Sequence, residues 1–315
     1  MILIVSLNFG IERIVRVLAE EAGIGSPPAI LRAKLESRHA SAKGINSARA
    51  LLRLGYPARV LGLLGGWAGH FIEENLKGEG IQFIPIAIRG ENRTCTVLRA
   101  ESGANQMVIN ECGPDIYPDE LQRIEQSYKE QVQEAQMVLL TGSLLPGIPG
   151  DFYAQLIRLA HKAGKRVLLD AAGEALAQGI EALPHAIKIN DNEASAWAGR
   201  PIADIPQAAE VAHFIVKQGI SIAMITMGAR GAVLCTPEQS YAYSVPSMNS
   251  QNCVGAGDAA LAGLSLALLQ GQCIQDAGAF ASAVATASTL HGAGRCEPKE
   301  IQIILPQIHC MRLQA

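Results

Sequence analysis

The chain has 315 residues, 49% hydrophobic and 17% charged, enough to bury a sizeable core as one large α/β unit or two small domains. A net charge of −3 and the lack of a long basic run give a nucleic-acid or anionic-membrane partner no electrostatic footing. Seven cysteines, at positions 95, 112, 235, 253, 273, 296 and 310, form no C-x-x-C pair. They fit neither a zinc site nor a disulfide framework, and read as reduced, mostly buried thiols of a cytoplasmic protein.

The opening segment "MILIVSLNFGIERIV" is apolar but short, interrupted by Asn8 and soon charged, so it reads as a first buried strand rather than a signal peptide. Residues 10 to 40 then lose periodicity and carry the breaker "GIGSPP". "GINSARALLRLG" has helical spacing and ends on Gly; "ARVLGLLG" is apolar on both faces; "HFIEENLKGEG" is helical again. Three consecutive strands follow over 81–110: "IQFIPIAI", "RTCTVLRAE" and "NQMVINE", joined by Gly/Asn turns. Buried strands at "AQMVLLTG", "KRVLLDAA" and "IAMITMG" alternate with helices such as "GDFYAQLIRLAHKAG". Such alternation predicts right-handed βαβ units and a parallel sheet covered by helices on both sides, with 10–40 and 81–110 as a small β appendage. The last third holds two Ala-rich helices, about 256–270 and 274–290, and the apolar run Leu261 to Leu269 is too short to span a bilayer.

Within "NCVGAGDAALAGLSLALLQG" (252–271), Gly255, Ala256 and Gly257 form a turn that opens an apolar helix, with Asp258 in its first turn. Successive N–H groups at such a helix start make an anion site, and the dipole there favours an ionised carboxylate. Held against a hydroxyl, Asp258 can take its proton as that oxygen attacks phosphorus. The alternative is an ordinary acidic helix start. The same letters satisfy the loose G-x-G-x-x-G/A dinucleotide pattern, but the polar, Pro-broken "SVPSMNSQN" precedes them where a strand is required. No G-x-x-x-x-G-K-[ST] occurs, which excludes a P-loop.

Six segments follow one another, the turn just described being the last: "SAKGINSARALLRLG", "TGSLLPGIPGDFY", "DAAGEAL", "KINDNE", "TMGARGA" and "NCVGAGDA". This succession resembles the ribokinase-like, PfkB-type carbohydrate kinases over nearly the whole chain. "SLNFGIE" and "NRTCTVLRAESGANQMVINECGPDI" look like its phosphosugar branch, which holds 1-phosphofructokinase, tagatose-6-phosphate kinase and the minor bacterial 6-phosphofructokinase.

The resemblance implies one ribokinase-like domain over 1–315, a three-layer α/β/α core with a mainly parallel sheet, and a β lid drawn from about 10–40 and 81–110. It implies ATP and Mg²⁺, a sugar-phosphate acceptor, and a homodimer through the lid. Gly255, Ala256 and Gly257 correspond to the anion hole and Asp258 to the catalytic base. Asn190 and Glu193, after Lys188, match the Asn-x-x-Glu element that organises Mg²⁺ through water; read alone, "NDNE" is a helix cap. Asp170 is expected to support the metal's water shell, or simply to form a turn. Thr226, Gly228 and Gly231 match the nucleotide-phosphate turn.

On the sugar side, the resemblance assigns Gly44 and Asn46 to "G-x-N", Lys43 and Arg93 to the acceptor's existing phosphate, Arg32 to the lid, and Ser143 to substrate contact. Departures fall on this half. Ser41 and Ala42 replace two glycines, Glu12 replaces a sugar-binding Asp, Phe9 replaces a Pro, and "KIN" stands for "K-P-N". A methyl at Ala42 and an added methylene at Glu12 narrow or shift the sugar pocket. Kinase chemistry is therefore the firmer expectation and the identity of the sugar the weaker one. A catalytically weak sugar-phosphate-binding relative, or a kinase for another sugar or nucleoside, remains as an alternative.

Overall fold

The computed structural model describes residues 1–17, 32–100, 106–248 and 253–313. Among them the strands in chain order are β1 (Ile2–Val5), β2 (Gly10–Val17), β3 (Ala33–Ser41), β4 (Ala58–Leu64), β5 (Gln82–Ala87), β6 (Arg93–Ala100) and β7 (Gln106–Asn110). They continue with β8 (Met137–Thr141), β9 (Arg166–Asp170), β10 (Ala186–Asn190), β11 (Ile222–Thr226), β12 (Ala232–Cys235), β13 (Ser240–Ser244) and β14 (His309–Arg312). The helices are α1 (Lys43–Arg53), α2 (Gly66–Glu79), α3 (Pro118–Glu134), α4 (Phe152–Lys162) and α5 (Gly173–Glu181). After them come α6 (Asp191–Ala198), α7 (Ile205–Lys217), α8 (Ala256–Leu269), α9 (Ile274–Ser288) and α10 (Pro298–Ile304).

Ten strands form the main sheet in the order β14-β13-β12-β11-β10-β9-β8-β1-β4-β5. From β11 to β5 every pairing is parallel, and β12, β13 and β14 add an antiparallel margin. The apolar-on-both-faces strands explain the layering. Leu3 and Val5 of β1 belong to the same core layer as Ile124, Leu156 and Ile215 of α3, α4 and α7. Ile2 and Ile4 belong to the opposite core layer, with Ile45, Ile72, Leu264 and Val284 of α1, α2, α8 and α9. Helices thus cover both faces, giving a three-layer α/β/α core, because alternate residues of a fully buried strand serve opposite layers.

A second, four-stranded sheet in the order β3-β2-β6-β7 stands apart from the main one and forms the lid. Its composition corrects one expectation. β5 does not join it but pairs in parallel with β4, with Pro85 opposite Gly62. The crossover through α2 returns the chain beside β4, and Pro, lacking an N–H, is tolerated because β5 is an edge strand. Among the described residues the lid therefore consists of Gly10–Val17, Ala33–Ser41, Arg93–Ala100 and Gln106–Asn110. "GIGSPP" and Asn252 lie outside the described residues. The thiols are all free, but only Cys95, Cys235 and Cys296 are buried; Cys112, Cys253 and Cys273 are exposed.

Candidate active site

Parallel strands leave a crevice at their carboxyl ends, where ligands of open α/β sheets bind. Asp170 ends β9, Asn190 ends β10 and Thr226 ends β11. Register aligns Thr141 with Asp170 and Asn190 with Thr226, which places these polar residues along one rim. Helices α1, α6 and α8 begin beside that rim and carry Lys43, Glu193 and Asp258 in their first turns.

Gly255 caps α8 in the left-handed region, at φ 85°, and a Cβ there would stand 2.4 Å from the Gly294 nitrogen. Only glycine meets both demands. Within the turn, Ala256 N donates to the Cys253 carbonyl at 3.2 Å. A Cβ on Gly257 would lie 2.8 Å from Lys188 Nζ, so that ammonium rests directly against the turn.

Asp258 is only 7% exposed, and its Oδ2 accepts a hydrogen bond from Asn46 Nδ2 at 2.8 Å. Ser47 Oγ donates to its carbonyl at 3.0 Å. Burial pushes the carboxyl up to about 6, and the charge of Asp170 adds to the rise, against the opposing pull of Lys43, Lys188 and Asn46. The helix-start argument from sequence pointed the other way, toward easy ionisation. Desolvation outweighs the dipole here and makes Asp258 a stronger base that is still ionised at neutral pH.

Asp170 is fully buried, with one oxygen on Lys43 Nζ and the other on Lys188 Nζ, both at 2.8 Å. Burial alone would raise its carboxyl, but the two ammonium groups hold it below the ordinary range. Lys43 Nζ also donates to Glu193 Oε1 at 2.7 Å. Although burial disfavours its charge, these carboxylates and Asp258 keep Lys43 protonated well above the usual lysine range. Glu193 is simultaneously the third residue of a capping box: its N–H donates to Asn190 Oδ1 at 2.8 Å, and its Oε2 accepts from Asn190 N at 2.9 Å. The cap and the charged site are thus the same residue pair.

The turn after β11 contains Gly228 at φ 58° and Gly231 at φ 98°. Met227 N donates to the Gly231 carbonyl at 2.8 Å, and Arg230 bonds Asp191 and the Ala203 carbonyl, tying the turn to the start of α6.

The residues expected on the sugar side gather around the base of the lid, except Arg32, which stands at the far end of β3. Ala42 is the extended N-cap of α1 and packs into the core, and Gly44 approaches so closely that a Cβ would meet Ser6 at 2.4 Å. Ser143 accepts from Asn8 Nδ2 at 3.0 Å. Arg32 precedes β3 and is exposed. Lys43 and Arg93 were expected on a single anion, but among the described contacts they are engaged separately. Lys43 is drawn to Asp170 and Glu193, while Arg93 Nη1 donates to the Glu111 carbonyl at 3.1 Å.

One buried network lay outside the motif reading. Arg49, 2% exposed, makes a two-point ion pair with Glu79 at 2.6 and 2.7 Å and donates to Asn46 Oδ1 at 3.1 Å. With its oxygen held by the guanidinium, the Asn46 amide presents its NH₂ to Asp258. The available signal was a charged residue three positions after Asn46 on an otherwise apolar helix face.

Residues 18–300 match the family described as pfkB family carbohydrate kinase. The chain belongs to the PfkB family of carbohydrate kinases. It is accordingly a sugar kinase, a phosphotransferase. This PfkB kinase is 28% identical to the 1-phosphofructokinase of Bacillus subtilis (strain 168) over 314 residues, covering 99% of this chain and 100% of that one. It also superposes on phosphofructokinase-2 from Escherichia coli in complex with substrates and products, with TM-score 0.87, 26% identity and coverage of 97% and 98%. The tetrameric inhibited form of the same enzyme gives TM-score 0.86 at 25% identity, with the same coverage. The ribokinase-like fold expected from sequence is thus shared with these PfkB relatives. None of the described helices is long and apolar enough to cross a membrane.

Proposed function

We propose that this PfkB kinase uses ATP and Mg²⁺ to phosphorylate a hydroxyl of a ketohexose monophosphate, with fructose 1-phosphate, fructose 6-phosphate and tagatose 6-phosphate as the candidates. The observation that carries the chemistry is Asp258: a buried carboxyl raised to about 6, fixed by Asn46 at the mouth of α8. In this reading Asp258 accepts the proton of the attacking hydroxyl, a contribution of about 10²–10⁴-fold. The first-turn N–H groups of α8 and the Lys188 ammonium against Gly257 stabilise charge on the transferred group. Thr226, Gly228 and Gly231 contact the nucleotide phosphates.

The donor set near the rim is carboxylate oxygen, and no group of three His, Cys, Asp or Glu able to hold a metal occurs among the described residues. Both Asp170 oxygens carry ammonium partners. That arrangement fits a hard cation held through water by Glu193 and Asp170 alongside nucleotide phosphates, not a direct protein cage. Bound there, Mg²⁺ supplies charge neutralisation of the phosphates.

Arg93 supports the phosphosugar part: it lies at the lid base, and its Nε is buried without a hydrogen-bond partner. The relatives named as phosphofructokinases support the same class. Lys43, held by Asp170 and Glu193, is reassigned to balancing those carboxylates. A homodimer through the lid is part of the proposal; Leu35, Met107, Val108 and Ile109 expose apolar surface on its two outer strands, β3 and β7. A cytoplasmic location agrees with the free thiols. The test is a kinetic panel of ketohexose phosphates, free ketohexoses and nucleosides. Preferred turnover of a free sugar or a nucleoside refutes the phosphosugar assignment.

A further inference from the structure

Among the described residues, five buried side-chain polar atoms have no hydrogen-bond partner: Asn8 Oδ1, Glu12 Oε1, His39 Nε2, Arg93 Nε and Thr141 Oγ1. Orphaned buried polar atoms are costly and rare in a folded protein, so a concentration of them needs an explanation. These five are not scattered. Asn8 lies between β1 and the lid, Thr141 ends β8 at the crevice, and the other three sit at the lid base.

Strand register puts the lid members on one face. Gly10 pairs with Ser41 on one side and Arg93 on the other, and Glu12 pairs with His39. Directly opposed residues of paired strands project to the same side, and so do residues two apart on one strand. Arg93, Glu12, His39 and Ser41 therefore share a face. Glu12 Oε1 and His39 Nε2 stand 3.2 Å apart without hydrogen-bond alignment, their side chains 8% and 14% exposed. Burial disfavours the Glu12 charge, but His39, Arg49 and Ser41 together hold its carboxyl below the ordinary range, ready to accept a proton donor. The Arg49 guanidinium, whose charge helps hold Glu12 ionised, also donates to Asn46, which donates to Asp258.

We infer that His39 is a specificity-determining residue: Nε2 donates to one hydroxyl oxygen of the acceptor while Glu12 Oε1 accepts that hydroxyl's proton. The inference rests on the proposed sugar-phosphate kinase reading and names the element that sorts acceptors by configuration. A hydroxyl placed between the two atoms satisfies both orphans at once. An epimer that points this hydroxyl elsewhere leaves both without a hydrogen bond, and such a loss discriminates strongly. Arg93, on the same face, leaves room for the phosphate end.

The test compares wild type with His39→Ala and His39→Gln on the D-fructose, D-tagatose, D-psicose and D-sorbose phosphates, which together cover the four configurations at C3 and C4. The same four free sugars are run in parallel. We expect His39→Ala to reduce the preference for one configuration at one carbon by about tenfold or more. We expect the ATP KM and the Tm to stay put, and His39→Gln, which keeps a donor, to restore most of the preference. An equal loss on all epimers, or no loss, overturns the inference. Wild-type turnover of free ketohexoses alone refutes the phosphate reading, yet the epimer comparison then runs on those sugars and still decides on His39. Absence of turnover on every sugar refutes both.

Discussion

Asp258→Asn separates the catalytic role of this side chain from its structural cost. Asparagine is nearly isosteric, and with its oxygen turned toward Asn46 Nδ2 it keeps the 2.8 Å hydrogen bond. It has no basic oxygen to receive the hydroxyl proton, so kcat should fall by about 10²-fold or more with ATP affinity little changed. Stability should move the other way. Raising the carboxyl from 3.8 to about 6 corresponds to about 3 kcal/mol at about 1.4 kcal/mol per tenfold. Because the folded-state value lies above the unfolded one, the ionised side chain costs the fold free energy above about pH 6. That cost vanishes below about pH 4. The variant should therefore melt about 5 °C higher than wild type at pH 8 and match it near pH 4. Wild-type kcat/KM should fall on the acid side with an apparent value near 6, and this limb should be missing from the variant's residual rate. Coupled assays and thermal melts across pH measure all three. Near-full kcat in the variant, or a lower Tm at pH 8, refutes a desolvated base at this position.

Three other perturbations address the remaining parts of the site. Glu193→Gln retains a side chain able to complete the capping box, so α6 should stay intact, while the Mg²⁺ concentration for half-maximal rate should rise about tenfold. An unchanged Mg²⁺ dependence reduces Glu193 to a cap. Arg93→Ala should lower kcat/KM for the phosphosugar by roughly 30- to several-thousand-fold, matching about 2–5 kcal/mol for an unpaired buried charge contact, and should spare free sugars. An equal loss on both classes of acceptor counts against phosphate recognition by Arg93. Arg49→Met leaves the half-buried Glu79 without its main partner and should cost about 1–3 kcal/mol in denaturant unfolding; a stability unchanged within error would show that Arg295, 3.4 Å from Glu79, suffices.

The α/β layering was legible because each core strand is a short apolar run and most of the earlier helices are capped at or one residue before a glycine, and α8 and α9 fall within two residues of their expected bounds. β5 was misassigned because alternation describes a strand without naming its neighbour; Pro85 was the clue that it belonged at an edge. In the site, chemistry tied to local geometry could be read from sequence, as at Gly255–Asp258 and Asn190–Glu193. Chemistry set by distant partners could not. The raised Asp258 carboxyl depends on Asp170, 88 positions earlier in the chain, and the partners of Lys43 come from β9 and α6. The Arg49–Glu79 pair and the Glu12–His39 pair likewise join separate elements, and no spacing rule connects them.

The lid's two central strands, β2 and β6, run parallel, and about 80 residues separate the partners they bring together. Between them in the chain lie α1, β4, α2 and β5, all members of the main body. Closing so long a loop is entropically unfavourable until those intervening pieces have docked. Those four elements must therefore dock first, and the part of the crevice that carries Glu12 and Arg93 matures afterwards. Amide exchange in β2 and β6 should accordingly outpace exchange in β1, β8 and β9.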